Sequence, residues 1–139
     1  MAEHEAAGGT RAARIDVALL LLRVILAAVF GAYATAKWTG EMNRVAGLMM
    51  SVGIPFPDLA ARFVAVVETG SAILLLVGLW TRVAGLLLAI EMAVAIWKVV
   101  FRQGFIGGYS FELTLLTVAL SLAVAGGGAW SVGRDRLSR

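Results

Sequence analysis

Four long apolar runs, at residues 15–36, 59–79, 82–100 and 109–126, leave this chain few ways to fold. A bilayer core about 30 Å thick is crossed by roughly 20 residues of helix, and each run is close to that length. Lipid offers the backbone no hydrogen-bond partner, so a spanning segment is a helix or part of a closed barrel. The apolar positions are continuous rather than alternating, which argues against barrel strands. The sequence therefore predicts an all-α, integral membrane four-helix bundle over residues 15–128. A polar N-terminal tail (1–14) and a basic C-terminal tail (129–139) flank it. Composition agrees, with 60% hydrophobic and only 15% charged residues, against roughly 25% charged in soluble domains. The net charge of +3 sits at segment ends and tails, where it anchors and orients helices. Nucleic acid is excluded as a partner, and the lipid bilayer is the expected one.

The connections sharpen the picture. GLWTR (78–82) is short enough to make helices two and three a tight antiparallel hairpin. In the first loop, Val45, Leu48, Met49 and Val52 recur at the spacing of one helical face. Gly53 and Pro55 then supply a stop signal. This predicts a short interfacial helix between helices one and two. Trp38 and Trp97 fall at one expected interface, Trp80 and Trp130 at the other, as aromatic belts require. With Arg82 they read as structural or topology anchors. Arg11 and Arg14 followed by an apolar run and AYATA resemble a cleavable signal, but Arg23 interrupts the run, so helix one is expected to be retained. Counting basic residues gives Arg11, Arg14, Arg82, Arg134, Arg136 and Arg139 on one side. Lys37, Arg44, Arg62, Lys98 and Arg102 fall on the other. That balance leans towards a cell-membrane protein with both termini in the cytoplasm.

Charges at membrane depth are the candidate functional residues. A lone charge at a helix centre costs about 2.5–3.5 kcal/mol, so Arg23, Glu68 and Glu91 must meet partners. At about 1.5 Å rise per residue, the three lie roughly 12–17 Å from the inner edge and are expected to share one layer. There Arg23 would neutralise Glu68, with Lys37 also in reach. Lys37, Lys98 and Glu112 form a second expected layer nearer the outer face, whose cation excess could hold an anion. Small residues (Ala27, Gly31 and Ala34 on helix one, Ser71 and Ala72 on helix two) accompany these faces and mark close helix contact. The reading assigns proton transfer to Glu68 and Glu91. It assigns substrate binding to Arg23, Lys37, Lys98 and Glu112. A purely structural role, with ion pairs setting helix register, stays open for each pair. No metal-ligand cluster stands out, there is no cysteine, and the single histidine is His4. Disulfides, thiolate metal sites and a histidine-ligated haem at membrane depth are thereby excluded, and no intrinsic cofactor is expected.

LLLLRVILAAVFGAYATAK, VGIPFP, VETGSAILLLVGLWTR and GGYSFELTLLTVAL occur in that order over nearly the whole chain. Together they resemble the DoxX family of small four-helix membrane proteins. The resemblance places the family's charged set on Arg23, Lys37, Glu68, Arg82 and Glu112. It implies a membrane subunit of an oxidoreductase complex that handles quinone or a small sulfur oxyanion. A soluble redox partner protein would supply the redox centre that this chain lacks. Where many members carry His-Gly, this chain has Tyr33 and Ala34, which leaves no imidazole for that step. Glu91 rests on depth alone. A small proton-coupled exporter, working as a homo-oligomer, and a non-catalytic membrane scaffold remain the alternatives.

Overall fold

The structure is a computed structural model describing residues 2–132, with side chains from residue 8 onward. Arg134, Arg136 and Arg139, which weigh in the orientation argument, lie outside the described residues. Five α-helices follow one another: α1 (Ala2–Ala36), α2 (Met42–Ser51), α3 (Pro57–Val77), α4 (Thr81–Ala95) and α5 (Ser110–Ala125). No strand occurs among the described residues. Four helical stretches are long and apolar enough to cross a membrane. They match the four apolar runs, with α4 continuing through a wide turn, Ile96–Val100, and a short 3-10 turn, Phe101–Gln103. Helix α1 begins at Ala2, inside the segment expected to be a tail. The predicted interfacial helix is α2.

Local chemistry sets the boundaries. Gly40, with φ 157° and ψ −15°, breaks the helical path after α1 and lets the chain turn into α2. Pro57 opens α3 with Asp58 in its first turn, where the missing N–H is harmless and a carboxylate complements the helix dipole. Gly78 (φ 79°) ends α3 and Trp80 (φ 49°) completes the two-sided turn into α4. The expected hairpin is therefore made by one glycine and one strained tryptophan.

The packed faces are narrow. Among the described residues of α1, Arg23, Leu26, Ala27, Phe30 and Ala34 are buried, and the stripe continues at helical spacing to Lys37 in the wide turn that follows. Large side chains such as Leu21, Leu76 and Ile73 point outward, as they do where lipid is the solvent. Gly31 and Ala72 bring α1 and α3 together, at 3.8 Å for a Cβ built on the glycine. Of the small residues singled out in the sequence, Gly31 and Ala72 meet. A closer approach joins α4 to α5, where a Cβ on Gly85 would stand 2.7 Å from the Ala119 carbonyl oxygen and 2.9 Å from the Ala123 nitrogen. Backbone cannot yield as a side-chain tip can, so Gly85→Val is expected to destabilise the bundle by about 1–3 kcal/mol. The unfolding midpoint in detergent reads this directly, and an unchanged midpoint removes the close approach from the account.

Candidate functional site

Polar groups inside the bundle gather at two separate places. The first is the hairpin end. The Arg23 guanidinium, 1% exposed, donates from Nε to the Leu75 carbonyl at 2.9 Å and from Nη2 to the Leu76 carbonyl at 3.3 Å. Its Nη1 donates to the carbonyls of Gly127 at 3.0 Å and Trp130 at 3.2 Å. Leu75 and Leu76 lie in the last turn of α3, whose carbonyls have no intrahelical donor and carry the negative end of the helix dipole. Arg23 thus ties the end of α3 to the turn after α5 while standing on α1. Gly78 leaves room for it, because a Cβ there would collide with Nη2. Asp16 adds a second tie by accepting from the Ala129 N–H at 2.9 Å. Gly127, whose carbonyl this clasp uses, is itself buried in the turn after α5.

The second place is the α2 end. Lys37 Nζ, at the end of α1, donates to both carboxylate oxygens of Glu68 on α3, at 2.8 and 2.7 Å. Both side chains are nearly out of contact with the surroundings, at 10% and 3% exposure. Glu91 on α4 sets its carboxyl within hydrogen-bonding reach of Glu68 and inside the electrostatic field of Lys37. Glu112 stands in the first turn of α5. One oxygen of Glu91 and one of Glu112, Oε2 in each, is buried with no hydrogen-bond partner.

These four residues share the wall of a cavity of about 660 Å³. Its remaining lining is mostly apolar: Phe30 and Tyr33 from α1, Val64 and Val67 from α3, Leu87 and Ile90 from α4, Phe111 and Leu115 from α5. Val45, Leu48 and Met49 of α2 also line it, so the amphipathic face of the interfacial helix covers one end. Several lining residues are also exposed on the outside, including Phe63 (67%), Ile90 (54%) and Leu48 (47%). The cavity is therefore open to the surroundings rather than sealed inside the bundle. Tyr33 places its ring 5.6 Å from Lys37 Nζ and 6.4 Å from the Phe111 ring. Glu41 and Arg44, paired at 3.3 Å and exposed, mark the mouth nearest α2.

Two expectations are corrected. Arg23 does not neutralise Glu68: it donates to four carbonyls at the hairpin end, and it lines no part of the cavity. Lys98 does not join Lys37 in a cationic layer. It is exposed, with Nζ 4.3 Å from the centre of the Trp97 ring. The physical cause is side-chain direction. Side chains on a helix tilt towards its N-terminus, so Arg23 reaches back to the hairpin end. Lys37 on α1 and Glu68 on antiparallel α3 tilt towards each other. Depths counted along the backbone put charges in the wrong layers by the length of a side chain. Glu68, Glu91, Lys37 and Glu112 do come together. Arg82 is half-buried in the first turn of α4. The four tryptophans are all exposed, and Trp38 donates from Nε1 to Thr69 Oγ1 at 3.1 Å. The roles of Tyr33 and Phe111 in the wall went unread in the sequence. Both look like ordinary apolar filler until α1 and α5 are placed side by side.

The DoxX family profile matches residues 18–101. The chain is also similar to "Putative oxidoreductase CatD" of Bacillus subtilis (strain 168), 32% identical over 111 residues. That alignment spans 80% of this chain and 81% of the relative. No solved structure matches.

Proposed function

Since the chain belongs to the DoxX family, we propose that it is the membrane subunit of an oxidoreductase complex. In this reading the cavity at the α2 end takes a quinone-class lipid. One observation carries it: a 660 Å³ cavity with a mostly apolar, partly exposed lining ends on a buried Lys37–Glu68 pair with Glu91 beside it. A ring with a lipid tail enters such a site from the side, which a water-soluble substrate has no reason to do. Lys37 and Glu68 hold each other at the polar end of the cavity, and Glu91 holds or moves the proton at its free Oε2. The sequence carries no cysteine and a single histidine in its N-terminal segment, so electrons enter from a soluble redox partner. With the termini in the cytoplasm, the cavity lies in the outer half of the membrane.

The sulfur-oxyanion alternative has less support. Its cationic layer needs Lys98, which faces outward, and a Lys37 that Glu68 does not already hold. The test is quinone-linked electron transfer in membranes that hold the intact complex. Glu91→Gln is expected to lower turnover by about 10²-fold, the scale of a lost proton-transfer group, while Lys98→Met leaves it unchanged. Equal turnover in wild type and Glu91→Gln sinks the reading.

A further inference from the structure

Hydrogen-bond bookkeeping inside the cavity points to the chemistry of its occupant. Donors are scarce. Lys37 spends its ammonium on both oxygens of Glu68, and Arg44 at the mouth is exposed and held by Glu41. Acceptors are in surplus. Glu91 Oε2 and Glu112 Oε2 are both out of contact with the surroundings and have no partner. They belong to different helices, α4 and α5, and line the same 660 Å³ space. A buried polar atom left without a partner is costly, so two such atoms on one cavity are an incomplete set. The interior wall sets three carboxyl groups, those of Glu68, Glu91 and Glu112, against one ammonium, that of Lys37. The ring faces of Tyr33 and Phe111 nearby add negative π-density. An anion entering here would meet carboxylates and rings rather than free cations.

We propose that this cavity selects membrane-soluble ligands whose polar head donates hydrogen bonds, a dihydroxyarene or a protonated amine, over heads that only accept them. The inference uses the cavity of the reading above and adds a rule that the reading lacks. If the occupant is quinone-class, the bound form is the hydrogen-donating quinol, whose two hydroxyls satisfy Glu91 and Glu112. An unreduced quinone brings two further acceptors to a site that already has too many.

Calorimetric titration of the full chain in lipid nanodiscs tests the rule with four probes. These are a short-chain hydroquinone, its quinone, its dimethyl ether and a phenylalkylamine. The hydroquinone is expected to bind about tenfold more tightly than the quinone or the ether, as one or two extra buried hydrogen bonds give. In Glu91→Gln/Glu112→Gln that preference disappears. Glu112→Met, which keeps Glu91 and the Lys37–Glu68 pair, removes part of it and guards against misfolding of the double variant. A quinone that binds as well as the hydroquinone overturns the inference and leaves the quinone reading standing. Binding of the amine without the hydroquinone or the quinone upholds donor selection and overturns the quinone reading. Failure of all four probes to bind overturns both.

Discussion

Lys37→Met is expected to destabilise the folded protein by about 3–5 kcal/mol, the scale for removing one partner of a buried ion pair. The reason is what remains. Glu68, 3% exposed, would keep a charge with Glu91 beside it and no cation within reach. The cost is therefore that of an abandoned carboxylate more than of a lost attraction. It follows that Lys37→Met/Glu68→Gln recovers most of the loss, because an amide in that position needs only hydrogen bonds. Denaturant unfolding in mild detergent, run as a double-mutant cycle, measures the coupling between the two. A cycle in which the two losses simply add removes the pair from the architecture.

Arg23→Leu is the second large effect, and it acts at the opposite end of the bundle. Four carbonyls, from Leu75, Leu76, Gly127 and Trp130, lose their donor together. With about 1–3 kcal/mol for each carbonyl left buried and unpaired, a loss of at least about 3 kcal/mol is expected, and poor accumulation in the membrane with it. Arg23→Lys should fall between, since a single ammonium cannot span the fork that a guanidinium reaches with three nitrogens. The informative readout is ligand binding by whatever folds. Arg23→Lys should bind cavity ligands like wild type, because the clasp and the cavity share no residue. Reduced binding at unchanged stability would mean that Arg23 belongs to the site after all.

The sequence made the spans, the hairpin and the interfacial helix legible, because lipid imposes simple rules on length and on backbone satisfaction. The same rules made Glu68, Glu91 and Lys37 conspicuous. What the sequence could not carry was which charge meets which. Arg23 looked like the counter-ion of Glu68 because both sit near mid-span in count. Its guanidinium, however, travels a side chain's length towards the hairpin and finds helix-end carbonyls there. An intramembrane charge invites a functional reading by default, and for Arg23 the geometry gives the structural one. Lys98 misled for a different reason. Its seven-residue spacing from Glu91 puts both on one face only if the α-helix continues, and the wide turn at Ile96–Val100 changes the register between them.

Photolabelling addresses most directly the claim that ligand chemistry resides at the α2 end and not around Arg23. The full chain in nanodiscs is irradiated with an azido-substituted quinone, and the modified peptides are mapped by mass spectrometry. Label on the cavity walls, within residues 45–67 of α2 and α3 and 87–115 of α4 and α5, competed away by unlabelled quinone, is the predicted result. Competable label concentrated on residues 19–26 and 75–82, around the arginine clasp, would contradict it.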